Sequence, residues 1–495
     1  MRNLLCTILL VALGYYSLAQ KTTWSKKLED NNRFSYLKIL GTAENGFYFL
    51  RSNGSFDEYS DFSNFRSRRY LLQYLNSELL PVWEKEITPS IDNAKILDIQ
   101  SVGTRVLIIS YNDKENGVGY QVHGEFLNAT GNLAAPPVLI EEFPFTRFDD
   151  ERKPGVIFSK DRSKWAFTYR KEAGLAQTLC AVVLDTAMNR IYRQEWDINA
   201  PLKRYAPTHF LLTNTGDFYV LGIQYLTDKR IKSPGESFFN LSGYNQHLHQ
   251  IIRHDIQIDN KFLTDISIAT DPVNRRLVAA GFYSEIGMLA TAGIFYSAFS
   301  EDSLTETTVY TAPFSNELMQ KAITDRSDFR KKELFNYYVD RLVLRKDGGA
   351  AVIAESYVET SRTFWDYYTQ SMITHNYYRY GNILSASFNP SGGLLWDRII
   401  PKEQNSMDDE GYQSSYVNMV SGGKFYVIFN KFIERNSSVM ICSIDGQGVQ
   451  KTDVLFGESE RVSIVAKAAR QVDASTVLIP AYKQGNLYIA KIQLQ

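Results

Sequence analysis

Aromatic residues crowd one segment of the C-terminal half, and their chemistry suits recognition. They are Trp365, Tyr367, Tyr368, Tyr377 and Tyr378. Aromatic rings with polar groups between them stack against sugar rings or anchor a protein partner. The same rings could instead pack on one another and hold their own segment in place. Both interpretations stay open, and these five residues are our candidate partner-binding residues.

Two acidic runs, Asp149–Glu151 and Asp408–Glu410, have side chains suited to calcium binding or to acid–base cleavage of a glycosidic bond. Neither run has the alternating oxygen ligands of a calcium loop, so solvated loop charge is the competing interpretation. We add Asp408 and Asp409 to the candidate partner-binding residues.

Three histidines invite a zinc interpretation that the spacing does not favour. On a strand, His247 and His249 would share one face while His254 falls on the other. The sequence also lacks a Gly-x-Ser-x-Gly nucleophile motif and a phosphate-binding glycine loop. We therefore expect no metal, no cofactor and no assembled catalytic site.

The elements that would position these residues form a repeated pattern. An apolar strand, a tight polar turn and a second apolar strand recur about eight times, for example over Arg341–Tyr357 and Ser463–Tyr482. Repeats of roughly 40–50 residues with four strands each predict a β-propeller. We predict an all-β fold, a single closed propeller of eight blades over residues 20–495. Seven blades are the alternative, because His247–Phe262 does not divide cleanly into two strands.

The N-terminal segment is predicted to complete the last blade. The final repeat ends at its third strand, Asn486–Gln493, while Thr22–Leu28 matches the fourth strand of the sixth repeat around Trp396. A fourth strand supplied from the N-terminus would cover two exposed sheet edges. Four tryptophans fall in the fourth-strand position, where they would fill the gap between blades or form an aromatic ligand ladder: Trp24, Trp83, Trp196 and Trp396.

Propeller geometry assigns the long connecting segments to one face. Within blades they are 52–68, 228–246 and Glu359–Tyr378, and between blades 143–154, 313–335 and 401–412. We interpret Glu359–Tyr378 as a loop and Glu317–Phe335 as a short helical connector. Long loops on one side of a rigid scaffold predict that binding occurs on that face.

Residues 1–19 have the pattern of a signal peptide. Arg2 supplies the positive charge, Leu4–Leu13 the apolar run, and Ser17–Ala19 a small-x-small cleavage site. The run is too short to span a bilayer, and no later segment approaches the necessary length. We expect an exported chain in the periplasm, on the outer-membrane surface or outside the cell.

Charge and cysteine content exclude other classes of protein. Lys and Arg number 54 against 55 Asp and Glu, for a net charge of −1, which is not the footprint of a nucleic-acid binder. Cys180 and Cys442 lie in apolar strands of distant repeats, so we expect two buried, unpaired thiols.

Two resemblances to known proteins support the propeller. Ser387–Trp396 resembles the Asp-x-x-Thr-Gly-x-x-x-Trp hairpin of quinoprotein-like propellers, which include eight-bladed cofactor dehydrogenases and outer-membrane assembly scaffolds. The chain lacks regular repeats of the full motif and a vicinal cysteine pair, so quinone binding is not implied. Asp347–Glu355, Leu395–Gln404 and Tyr412–Tyr416 resemble exported Gram-negative bacterial proteins without an assigned function. That resemblance implies an envelope location and supplies no activity.

These observations predict a non-catalytic exported propeller that binds an envelope protein or glycan through its long-loop face. The alternative is a secreted carbohydrate-active hydrolase or lyase with a central carboxylate site. A quinone-dependent dehydrogenase is a third interpretation, and the oligomeric state stays open.

Overall fold

The computed structural model describes residues 20–29, 33–54, 69–114, 119–143, 154–173, 176–228, 231–323, 333–368, 370–433 and 437–494. The signal peptide predicted for residues 1–19 and the acidic run Asp149–Glu151 lie outside the described residues.

Four-stranded sheets follow one another along the first half of the chain. The first strand, β1, is Gln20–Trp24. Sheet 1 contains β2 (Tyr36–Ala43), β3 (Gly46–Ser52), β4 (Tyr70–Asn76) and β5 (Pro81–Ile87). Sheet 2 contains β6 (Lys95–Val102), β7 (Arg105–Asp113), β8 (Tyr120–Leu127) and β9 (Val138–Phe143). Sheet 3 contains β10 (Gly155–Phe158), β11 (Lys164–Ala173), β12 (Ala176–Asp185) and β13 (Arg190–Asp197). Sheet 4 contains β14 (Tyr205–Leu212), β15 (Phe218–Tyr225), β16 (Ser237–Asn245) and β17 (Gln250–Ile256).

The pattern continues to the C-terminus. Sheet 5 contains β18 (Phe262–Asp271), β19 (Arg276–Ser284), β21 (Gly293–Ser300) and β22 (Glu306–Pro313), while the short β20 (Ala290–Thr291) pairs with β23 (Leu334–Phe335). Helix α1 (Asn316–Ala322) follows sheet 5. Sheet 6 contains β24 (Tyr337–Leu344), β25 (Ala350–Asp366), β26 (Ser371–Phe388), β27 (Leu394–Ile400) and β28 (Gln404–Met407). Sheet 7 contains β29 (Val417–Ser421), β30 (Lys424–Asn430), β31 (Val439–Ile444) and β32 (Gln450–Phe456). Sheet 8 contains β33 (Val462–Ile464), β34 (Arg470–Gln471), β35 (Thr476–Lys483), β36 (Asn486–Leu494) and β1.

All strand pairs in these sheets are antiparallel, and the prediction of an all-β propeller built from repeated four-stranded units is confirmed. The fourth repeat forms a complete sheet, but its third strand was predicted wrongly. Ser237–Asn245 forms β16 inside the segment interpreted as a loop, because its apolar and aromatic residues pack in the core on both faces of the sheet.

The N-terminal strand joins the last sheet, as predicted, with a different extent. β1 pairs antiparallel with β36 from Gln20 opposite Leu494 to Trp24 opposite Ala490. Beyond β1, the Leu28 amide donates to the Leu487 carbonyl at 2.9 Å. The strand is therefore Gln20–Trp24, and the rest of Thr22–Leu28 continues without ladder pairing.

Buried apolar side chains fill the spaces between neighbouring sheets. Eight clusters within the described residues each join two consecutive sheets, and one of them joins sheet 8 to sheet 1 through Leu28, Leu37 and Leu487. Cys180 and Cys442 lie buried and unpaired in the third strands of sheets 3 and 7, as predicted.

Fourth-strand tryptophans reach across to the following sheet, which agrees with the packing interpretation. Trp83 donates its indole N–H to the Ala129 carbonyl at 3.0 Å, and Trp396 donates to the Gly446 carbonyl at 3.1 Å. Each ring lies over a glycine of the neighbouring turn. A Cβ on Gly448, whose φ is +80°, would lie 2.5 Å from Trp396. Glycine is therefore required there by conformation and by contact.

The connector after sheet 5 begins with the predicted helix. Ser315 caps α1, and its hydroxyl accepts from the Leu318 amide at 3.1 Å. Residues 324–332 of the predicted Glu317–Phe335 connector lie outside the described residues.

The segment Glu359–Tyr378 is not a loop, and this prediction was wrong. β25 and β26 continue past the body of sheet 6 as a hairpin whose pairing runs from Tyr357 opposite Tyr380 to Asp366 opposite Ser371. We call Tyr357–Tyr380 the arm. Threonine and aromatic residues along both strands favour the extended conformation, and local pairing satisfies their backbone groups.

Candidate functional site

The arm has two differently composed faces. Cross-strand partners share a face, so Trp365 opposite Met372 and Thr363 opposite Thr374 lie on one side. The two threonine hydroxyls of that side lie 2.8 Å apart. Phe364 and His375 lie on the other side, where their rings stack with centroids 5.2 Å apart. Both faces therefore carry an aromatic ring near the tip.

The tip of the arm exposes several large apolar side chains. Tyr368 is 99% exposed and Tyr367 85%, while Met372 and Trp365 are 64% and 50% exposed. Four large side chains with apolar surface are thus at least half exposed within the eight residues 365–372. Trp365, Tyr367 and Tyr368 therefore lie exposed at or next to the turn of the arm.

The remaining aromatic candidates lie nearer the base of the arm and are less exposed than the residues at the tip. Tyr378 is buried, and the Arg362 guanidinium lies 5.6 Å from the centre of the Tyr377 ring. Phe364 belongs to the same aromatic run but was not among the candidate partner-binding residues, and it is 46% exposed beside the tip. Its position next to Trp365 in an aromatic run was the signal that could have identified it.

Asp408 and Asp409 lie beside the arm, where they hold the connector in place. The Asp408 carboxylate accepts from the His375 ring through one oxygen and from the Asn376 amide, at 2.8 Å, through the other. These hydrogen bonds lower the pKa of Asp408. Asp409 accepts from the Gly411 amide at 2.9 Å. Strand β28 adds further support, because it pairs with Tyr377–Tyr380.

A second group of charged residues lies where sheets 6 and 7 meet, and sequence reasoning missed it. Lys402 is completely buried, and its Nζ lies 2.6 Å from Oε1 of Glu355. The Ser415 hydroxyl donates to Oε2 of Glu355 at 2.6 Å, and Tyr416 donates to Asp340 at 2.7 Å. We call Asp340, Glu355, Lys402 and Tyr416 the charged cluster.

Two carboxyl groups in and near the charged cluster have raised pKa values. Burial and the neighbouring charge of Glu355 raise the pKa of Asp340 to about 7. Burial raises the pKa of Asp265 to about 6, although its carboxylate accepts from the Val339 amide at 2.6 Å. Asp265 and Asp340 lie on β18 and β24, the first strands of sheets 5 and 6, and first strands surround the axis of a propeller. A carboxyl protonated near neutral pH could donate a proton there.

The histidines do not converge on a metal site. His249 contacts the Tyr244 hydroxyl at 3.2 Å, while the His254 ring packs on Phe299 with centroids 5.0 Å apart. In the described ranges, no three His, Cys, Asp or Glu side chains are grouped as metal ligands would be. No helix in the described part of the chain has the length and apolarity to cross a membrane.

Comparison with known proteins finds distant likenesses among solved structures. The sequence matches no protein-family model and no curated protein. Among solved structures, polysaccharide lyase Uly1 is 13% identical over 80% of this chain and 89% of that chain, with a TM-score of 0.36. The WD40 domain of SCAP from fission yeast is 10% identical over 96% and 98%, with a TM-score of 0.38.

A third similar structure belongs to a longer protein. Prolyl oligopeptidase B from Galerina marginata is 9% identical over 91% of this chain, with a TM-score of 0.40. This chain spans 55% of the length of that protein. All three likenesses are distant, and the assignment as a propeller rests on the sheets described above.

Proposed function

We propose that the chain is a non-catalytic exported propeller of the bacterial envelope that binds a protein or glycan partner through its long-loop face. The observation that carries this proposal is the exposed aromatic tip of the arm. Trp365, Tyr367 and Tyr368 leave large apolar surfaces in water, and a bound partner would remove them from it.

The composition of the tip favours a protein over a glycan. Met372 accompanies the aromatic residues, and methionine and aromatic residues are enriched in protein–protein interfaces. The arm is also held in place before binding, by β28 and by the contacts of Asp408. Pre-ordering of a contact surface reduces the conformational entropy lost on association.

Export is the second part of the proposal. The signal-peptide pattern of residues 1–19 and the resemblance to exported Gram-negative bacterial proteins support an envelope location. The periplasm, the outer-membrane surface and the extracellular medium all agree with these observations.

Capture from envelope extracts tests the arm assignment. In the test variant, Asn-Gly replaces Phe364–Ile373 and joins Thr363 to its cross-strand partner Thr374 by a tight turn. The control variant, Val309→Ala/Tyr310→Ala, removes exposed apolar groups from β22 of sheet 5. We expect a component that the wild type and the control capture and the shortened arm does not.

Pre-treatment of the extract distinguishes the two partner classes. Protease treatment should abolish capture of a protein partner, whereas periodate oxidation should abolish capture of a glycan. Equal capture by the wild type and the shortened-arm variant would contradict the arm assignment.

The charged cluster favours a second candidate function, a carbohydrate-active hydrolase or lyase. Glycoside cleavage uses two carboxyl groups, one with a raised pKa, and burial and the neighbouring charge of Glu355 raise the pKa of Asp340. Both oxygens of Glu355, however, are engaged by Lys402 and Ser415, which favours a structural role. Incubation of the protein with a panel of polysaccharides, assayed for new reducing ends and for unsaturated products, tests this candidate function. Activity that is present in the wild type and lost in Asp340→Asn would support an enzyme.

A further inference from the structure

A cavity of about 650 Å³ opens on the face opposite the arm, where the short turns lie. The ends of first strands from sheets 8, 1, 2 and 3 meet there. Its wall includes Ser101, Arg105, Arg162 and Arg470. We call it the arginine cavity.

Two guanidinium groups of the arginine cavity are linked through a short chain of oxygen atoms. Arg162 donates to the Ser101 carbonyl, and its Nη1 lies 3.4 Å from the Ser101 hydroxyl. That hydroxyl donates to the Leu40 carbonyl at 2.8 Å, and Arg470 donates to the same carbonyl. The two cations are therefore held close together by neutral acceptors.

The tight approach of the backbone at Gly41 maintains this arrangement. A Cβ on Gly41 would lie 2.1 Å from the Ser101 hydroxyl and 3.7 Å from Nη1 of Arg470. Any larger residue would displace Ser101 and break the chain of contacts between the guanidiniums.

Neither guanidinium forms an ion pair with a carboxylate of the described residues. Asp161 also lines the cavity, but its carboxylate accepts from Ser159 and Ser163. The negative charge of Asp98 acts on the pKa of Arg162 without an ion pair between the two side chains. Both oxygens of the Asp98 carboxylate accept from the Gln100 amide. Burial and the charge of Arg162 lower the pKa of Arg470 to about 10.

Arg162 also occupies a backbone position that favours glycine. Its φ is +57°, and the corresponding turns of sheets 4 and 6 place Gly216 and Gly348 at this position. This conformation is less favourable for arginine than for glycine, so Arg162→Gly is compatible with the turn.

We propose that the arginine cavity binds a small oxyanion of the phosphate or sulfate type, free or carried on a saccharide. The planar guanidinium offers paired N–H donors that match two oxygens of such an anion. Arg162 and Arg470 supply the charge, and Arg105 stands at the rim, stacked 4.0 Å from the Phe126 ring centre. This site lies on the other face from the arm and does not depend on the proposed function.

Calorimetric titration of the full mature chain with inorganic phosphate and sulfate, in chloride buffer of constant ionic strength, tests the proposal. Arg162→Gly should weaken binding by roughly tenfold or more, because charged hydrogen bonds are lost. Glycine is also favoured at this backbone position, so the variant should stay folded. Arg470→Gln is the second test variant, and Arg398→Gln, which removes a guanidinium bonded to the Gly448 carbonyl, is the control.

The titrations distinguish a free anion from one carried on a saccharide, and they also show whether the proposal fails. Equal affinity for sulfate and glucose 6-sulfate would indicate a free ion, and tighter binding of glucose 6-sulfate a saccharide-borne group. Absence of binding by the wild type would overturn the proposal. So would unchanged binding in both test variants, or an equal loss in Arg398→Gln.

Discussion

Asp408 and Asn376 exchange two hydrogen bonds between a connector and the arm. The Asp408 carboxylate accepts from the Asn376 amide at 2.8 Å, and the Asp408 amide donates to the Asn376 carbonyl at 2.9 Å. Asp408 has a φ of +55°, which turns its backbone toward the arm. A residue identified from sequence as a binding candidate thus fixes the surface that carries the exposed aromatic rings.

Asp408→Ala should loosen the arm without unfolding the sheets. The amide of Asn376 loses its carboxylate acceptor and His375 loses its partner, so amide hydrogen exchange over Ser371–Tyr377 should accelerate. Because the folded-state pKa of Asp408 is lowered, its contacts are present above the unfolded pKa and are lost as pH falls through the folded pKa. Asp409→Ala is the control and should leave the exchange rates unchanged. Unchanged exchange in Asp408→Ala as well would show that Asp408 does not hold the arm in place.

Trp24→Ala should lower the melting temperature much more than Trp365→Ala. The Trp24 ring packs 5.2 Å from Phe456 and lies under the Lys483 ammonium at 4.7 Å. Loss of these contacts should cost about 2–4 kcal/mol, and the half-exposed Trp365 less than about 1 kcal/mol. Thermal melts of both variants measure this difference. Equal or reversed sensitivity would mean that β1 does not stabilise sheet 8.

Lys402→Met should destabilise the fold strongly. The substitution leaves the Glu355 carboxylate buried beside Ser415 without its cation. Removing one partner of a buried pair costs about 3–5 kcal/mol in the free energy of unfolding. Denaturant titration of Lys402→Met, Glu355→Gln and the double variant gives the coupling free energy between the two residues. A double variant no more stable than Lys402→Met would show that the unpaired carboxylate is not the cause.

Asp340→Asn should change how stability depends on pH. A carboxyl whose pKa is raised to about 7 stabilises the fold below its unfolded pKa of about 4, and this contribution is lost as pH rises through the folded pKa. The melting temperature of the variant should therefore rise relative to that of the wild type as pH increases from about 4 to about 7. Asp259→Asn, an exposed turn substitution, is the control. A constant difference across this range would contradict the raised pKa.

The repeated sheets could be predicted because their signals are local. Turn residues such as Gly348 and Gly392 require positive φ, and strands of alternating or continuous apolar residues flank them. A tryptophan in the fourth strand marks the end of the repeat in the same way in several repeats. Even the pairing of β1 followed from a strand missing in the last repeat.

The arm and the charged cluster could not be predicted in the same way. The arm contains polar and aromatic residues with no buried face over much of its length, so the usual strand pattern is absent. Glu355, Lys402 and Ser415 come from separate elements and meet only after sheets 6 and 7 pack together. The arginine cavity depends likewise on a contact between Leu40 and Arg470, from opposite ends of the chain.

The most direct measurement of the central claim is photo-crosslinking from the tip of the arm. p-Benzoylphenylalanine in place of Tyr368, which is 99% exposed, samples the tip, and the same group in place of Tyr310 samples β22 of sheet 5. In envelope extract we predict a discrete crosslinked product from position 368 and none from position 310. Products of equal yield from both positions, or none from position 368, would contradict binding through the arm.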